Sequence, residues 1–158
     1  MTSPHSHRST STSEQWPEQS RLPRTNSLLV AERLIVDASV MVDLLVGAPR
    51  AGIIRGRLRG CELHVPAHFD AEVLSAIGRL ERAGHLSAID AGERIDRIST
   101  APLERHPLAP LLTGAWQRRH NLRLVDALYV ELAERIEAPI VTVDAGLAAA
   151  APTAEHIA

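Results

Sequence analysis

The chain contains no lysine; all 17 of its basic residues are arginine. A phosphate-binding loop ending in Gly-Lys-Ser/Thr needs a lysine, and so does a Schiff-base enzyme, so both are excluded. Cysteine occurs once, as Cys61. A single cysteine closes no disulfide within the chain and cannot build a cysteine-rich zinc or iron–sulfur site. Aromatic residues are few: Trp16, Phe69, Trp116 and Tyr129. No apolar run approaches the roughly 20 residues that span a bilayer. The run Leu28 to Ala31 falls short of the roughly 7–15 residues of a signal-peptide core. A cytoplasmic protein with no membrane partner is therefore expected. A net charge of −2 gives no reason to expect a sequence-independent grip on nucleic acid.

What is present divides in two. Residues 1–27 hold 11 Ser and Thr, with Pro4, Pro17 and Pro23 as breaks and few large apolar side chains. Such a stretch buries too little surface to offset its ordering entropy, so a disordered tail is expected there. Residues 28–158 are expected to form one domain. The 45% apolar content of the chain is enough to fill a core.

Short apolar runs alternate with amphipathic segments along this domain. Leu34-Ile35-Val36, Leu63-His64-Val65 and Ile140-Val141-Thr142-Val143 read as strands, with weaker candidates at Leu103-Glu104-Arg105 and His156-Ile157-Ala158. Helices are expected over Ser39–Val46, about Arg50–Arg59 (burying Ile53, Ile54 and Leu58), Ala67–Ala83, Ser87–Ile98, around Leu108–Trp116 and from Asp126 onward. Ser87 and Asp90 form a capping-box-like pair, and Trp116 falls in an apolar stripe that places it in the core. This alternation predicts a three-layer α/β/α domain around a short-stranded, mainly parallel sheet.

The chemistry lies in the acids. Asp37 follows the first strand, Asp144 follows the Ile140–Val143 strand, and Asp126 follows Leu124-Val125 at the start of a helix. In a parallel sheet such ends share one edge, where ligands bind. Glu72 flanks the apolar stripe of its helix and points along the same edge. Asp43 and Asp70 read as surface residues. Four converging carboxylates repel one another, and a divalent cation resolves the repulsion. An all-oxygen set suits Mg²⁺, or Mn²⁺, which can activate water and stabilise charge on a phosphoryl group. The plainer alternative is that each Asp merely caps a helix.

These segments resemble the motifs of PIN-domain ribonucleases. Leu34-Ile35-Val36-Asp37-Ala38-Ser39-Val40 is similar to the opening strand and Asp-x-Ser/Thr. Val65-Pro66 through Glu72-Val73 is similar to the second motif, a turn into a helix with an inward Glu. Leu124-Val125-Asp126-Ala127-Leu128-Tyr129 resembles the third motif, and Pro139 through Asp144 with Leu147 resembles the fourth. The order holds over about residues 33–150, in the manner of VapC-like toxins of type II toxin–antitoxin pairs. The resemblance implies a Mg²⁺-dependent endoribonuclease with Asp37, Glu72, Asp126 and Asp144 as catalytic acids and metal ligands. It further implies assistance from Ser39 and Thr142, an RNA substrate, a cognate antitoxin and a homodimer.

Arg118-Arg119 with Arg123 is a basic cluster that could contact RNA phosphate, Arg119 in particular, or could be a solvated helix end. Arg55, Arg57 and Arg59 read as a solvated or antitoxin-facing surface. The histidines show no metal-binding helical pair, because Pro66 separates His64 from His68. Two other functions compete: a non-catalytic PIN-like binding module, and a Mg²⁺-dependent phosphoaspartate-type phosphatase. A receiver domain wants a lysine, and a dehalogenase-type phosphatase wants an acid where Ser39 stands.

Overall fold

Leu34, Ile35 and Val36 are wholly excluded from solvent, as a strand covered on both faces must be. In the computed structural model, which describes residues 31–158, they belong to β1 (Arg33–Val36), the middle strand of a five-stranded sheet. The Ser/Thr-rich segment 1–27 lies outside the described residues. The sheet runs in the order β3-β2-β1-β4-β5 and every neighbouring pair is parallel. The other strands are β2 (Glu62–Pro66), β3 (Leu103–His106), β4 (Ile140–Thr142) and β5 (Ala154–His156).

Seven α-helices connect the strands among the described residues: α1 (Ala38–Val46), α2 (Ala51–Leu58), α3 (Phe69–Arg82), α4 (Ala88–Ser99), α5 (Leu112–Gln117), α6 (Leu124–Ile136) and α7 (Ala145–Ala150). They cover both faces and complete the three-layer α/β/α architecture. Parallel strands cannot be joined by tight turns, which is why a helix follows nearly every strand. Helix α6 is the most deeply set; seven consecutive residues, Ala127 to Ala133, are buried. The capping box opens α4 as expected, with Ser87 Oγ accepting the Asp90 N–H at 3.0 Å. Gly47 and Gly60 take left-handed backbone just beyond α1 and α2, where an L side chain would be strained.

Four expectations need correction. Asp126 does not follow a strand. Leu124 and Val125 form the first turn of α6 and are 43% and 42% exposed. Trp116 is 58% exposed and Ile53 63% exposed, so neither belongs to the core. Arg57 is not a free surface charge, since it pairs with Glu32 at 2.8 Å and Glu155 at 2.6 Å. No helix of the described residues is long and apolar enough to cross a membrane.

Candidate active site

The chain leaves β1 toward one flank of the sheet and β4 toward the other, so a crevice opens beyond the carboxyl ends of these two strands. Asp37 stands at the end of β1, and its N–H donates to Val141 O of β4 at 3.1 Å. The backbone at Asp37 is extended, as at a helix N-cap, but its side chain caps nothing in α1. Instead Asp37 Oδ2 accepts the hydroxyl protons of Ser39, at short range, and of Thr142 at 2.9 Å. Thr142, fully buried, also accepts the Asp144 N–H at 3.0 Å.

The other acids arrive from three helices. Asp144 does cap α7, its Oδ1 accepting the N–H groups of Gly146 and Leu147 at 2.7 and 3.0 Å. The capping alternative therefore holds for Asp144 and fails for Asp37. Asp126 projects from the first turn of α6 and is held by Arg123 at 2.8 and 3.2 Å. Glu72 comes from the first turn of α3, and its Oε2 accepts the Tyr129 hydroxyl at 2.6 Å.

All four acids line one cleft of about 380 Å³. Ser39, Arg79 and Arg123 share it, and so does Asp43, which is not the plain surface residue expected from the sequence. Asp43 is paired with Arg50 at 3.0 Å. Asp70 is indeed elsewhere, in a bidentate pair with Arg105. Arg119 is not part of the cleft wall. It lies over the Trp116 ring, 5.0 Å from the centroid, and donates to Trp116 O. Arg118 is engaged with Glu131 at 2.8 Å and with Glu134. Of the basic cluster only Arg123 reaches the acids.

Burial pushes the Asp37 carboxyl above its ordinary range, and the negative charge of Asp126 adds to the shift. The hydroxyls of Ser39 and Thr142 oppose it by bonding to the ionised form. Burial also holds His68 below the usual imidazole value, against the pull of Glu72, Asp126 and Asp37. Tyr129 is pushed upward by burial and by the Glu72 charge it faces.

A divalent cation suits these residues. The donors are all oxygens, and a desolvated carboxylate facing a second acid lacks a compensating charge. Among the described residues no three Asp, Glu, His or Cys side chains are drawn together closely enough to hold a metal ion by themselves. The acids line a wall instead, which suits a cation that keeps several of its waters.

Two residues of the site carried no legible signal. Tyr129 reads as one more apolar position of α6, and its partner Glu72 lies 57 residues away. His68 stands 3.3 Å from the same Glu72 oxygen, at a turn of unremarkable sequence. Two other histidines, His64 and His106, meet across β2 and β3 at 3.0 Å, away from the cleft.

The PIN domain family matches residues 34–151, which holds all four acids. The chain belongs to the PIN-domain family. Within it the chain resembles the VapC ribonucleases. It is 50% identical over 127 residues to Ribonuclease VapC3 of Mycobacterium tuberculosis, covering 80% of this chain and 93% of that protein. The PIN fold agrees with solved structures. PAE2754 from Pyrobaculum aerophilum superposes with a TM-score of 0.59 at 25% identity, covering 78% of this chain and 82% of that one. The crystal structure of Mycobacterium tuberculosis VapC20, described as a sarcin-ricin loop cleaving toxin, gives 0.57 at 17% identity over 74% of this chain and 94% of that one.

Proposed function

We propose that this PIN-domain protein is a Mg²⁺-dependent endoribonuclease, Mn²⁺ serving as a substitute, and that it acts in the cytoplasm as the toxin of a type II toxin–antitoxin pair. One observation carries the reading: Asp37, Glu72, Asp126 and Asp144 line a single cleft at the crossover point of a parallel sheet. The half-identical relative is named a ribonuclease, which supports RNA as the substrate.

Asp37 and Asp126 are the main candidate ligands, with Glu72 and Asp144 completing the set. A bound divalent cation would supply Lewis-acid stabilisation of negative charge on the phosphate and lower the pKa of water for attack. The hydroxyls of Ser39 and Thr142 donate to Asp37 and partly offset the cost of ionising it in a buried position. Asp144 Oδ1 is spent on the cap of α7, so only Oδ2 is free to turn to the cleft. Arg123, 74% exposed, is placed to meet an RNA phosphate at the rim.

An antitoxin that covers the acids and a homodimer belong to the same reading. The exposed apolar residues Leu74, Trp116, Leu124 and Val125 offer surface for protein contacts.

The purified protein is expected to cleave RNA only with Mg²⁺ or Mn²⁺ present. Asp37→Ala and Asp126→Ala should each abolish cleavage and growth inhibition. Full activity in chelator, or in either variant, overturns the proposal.

A further inference from the structure

Tyr129 is the chain's one tyrosine and is 1% exposed. It sits on α6 three residues after Asp126, so both project from the same side of the helix. Its hydroxyl reaches across to α3 and donates to Glu72 Oε2 at 2.6 Å. A buried phenol without a partner is costly, and this carboxylate is its hydrogen-bond partner. The bond is short and charge-assisted, the strong kind.

Glu72 needs such a tether. Its side chain is 33% exposed and has several rotatable bonds. Left free, a glutamate so placed samples many rotamers in solvent. The His68 ring packs edge-on against the Tyr129 ring, with centroids 5.0 Å apart, and its Nε2 stands beside the same Oε2. Oε2 is thus held from one side by α6 and flanked from the other by the turn before α3. Oε1 takes part in no hydrogen bond among the described residues.

We infer that Tyr129 is a positioning residue, whose hydroxyl fixes Glu72 Oε2 so that Oε1 is presented to the cleft as a cation ligand. This rests on the metal-dependent reading above. Tyr129 touches neither substrate nor cation; it acts through Glu72.

The test uses the full chain and its single tyrosine as an internal reporter. Mn²⁺ alone is titrated by calorimetry into wild type, Tyr129→Phe, Glu72→Gln and the double variant. Tyr129→Phe should weaken Mn²⁺ binding about 10-fold, in the range typical of groups that orient a ligand. It should lower kcat on RNA while leaving KM unchanged, and it should weaken Mn²⁺ binding no further in the Glu72→Gln background. In the Raman spectrum the tyrosine doublet of wild type should report a strong hydrogen-bond donor, and Glu72→Ala should remove that signature. This last arm decides the matter even if Tyr129→Phe does not fold. Unchanged Mn²⁺ affinity in Tyr129→Phe, additive losses, or a tyrosine signature indifferent to Glu72→Ala overturns the positioning role alone. Failure of wild type to bind Mn²⁺ overturns the metal reading of the cleft, and this inference with it.

Discussion

The Thr142 hydroxyl donates to Asp37 Oδ2 at 2.9 Å while accepting the Asp144 N–H at 3.0 Å. One buried side chain therefore joins the acid that follows β1 to the acid that follows β4. Thr142→Val keeps the shape but removes both bonds. It takes one donor from the buried Asp37 carboxylate, which costs about 1–3 kcal/mol. Urea unfolding should show that loss, and cation affinity should fall roughly 10-fold or more. Wild-type values for both would mean that the hydroxyl bridge is dispensable.

Asp37 is predicted to oppose the fold it completes. Its folded pKa is raised by burial above the ordinary 3.8. The folded state therefore favours the protonated acid, and ionisation at neutral pH costs stability. Asp37→Asn should raise the melting temperature at pH 7 in chelator while eliminating RNA cleavage. The gain should shrink as pH falls toward the ordinary carboxylate value, where wild type also becomes neutral. A lower melting temperature for the variant at pH 7 contradicts this account.

Arg123 pairs with Asp126, one of the candidate cation ligands, so a bound cation would compete with it. Its removal should have opposite effects on two ligands. Arg123→Gln is expected to tighten Mn²⁺ binding about two- to five-fold, the scale of an exposed ion pair. The same change should raise KM for RNA, because a phosphate contact is lost. Calorimetry and steady-state kinetics on one preparation would separate the two, and parallel changes would refute the competition.

Gly114 is required by a close approach between α5 and α6. A Cβ there would run into the Glu131 carboxylate. Glu131 cannot easily retreat, because it is 9% exposed and gripped by Arg118 at 2.8 Å and Arg135 at 2.9 Å. Gly114→Ala should destabilise the protein by about 1–3 kcal/mol, the usual cost of overpacking. Glu131→Ala should cost less in that background than in wild type, which a double-mutant cycle by urea unfolding would measure.

Stability should also depend on pH through histidine. Burial and the neighbouring His106 hold His64 below its ordinary 6.5, against the smaller opposing pull of Glu62 and Glu104. The fold thus favours neutral His64, and stability is full above 6.5 and declines as pH falls below it. His68 is shifted in the same direction. His64→Gln should flatten the decline between pH 7.5 and 5.5 without abolishing it, as followed by urea unfolding in chelator. An unchanged slope would show that His64 does not contribute.

Much of this was legible because parallel strands advertise themselves. Leu34–Val36 reads as a fully buried strand and Ile140–Val143 as a clear one, which the structure ends one residue sooner, and the acids that close them lie where the topology needs them. Asp126 was the instructive miss. Leu124-Val125 looks like a strand end because its two apolar residues are contiguous, yet they are half-exposed in the first turn of α6. The acid still reaches the cleft, since a helix start can occupy the same edge as a strand end. Trp116 misled for a related reason: helical periodicity marks a face without saying what covers it. Partners distant in sequence left no trace. Arg57 with Glu155, 98 residues apart, and Tyr129 with Glu72 depend on tertiary packing that local spacing does not encode.

The strand order has a consequence for the timing of folding. The central strand β1 must wait for β4, and the Asp37–Thr142 bond spans 105 residues. No hairpin can prebuild that contact, and long-range pairing of this kind is slow. Asp37 is thus made long before the strand whose Thr142 completes its pocket. A chain made only as far as α6 therefore carries Asp37 without the β4 partner and the Thr142 hydroxyl that its carboxylate bonds in the finished fold.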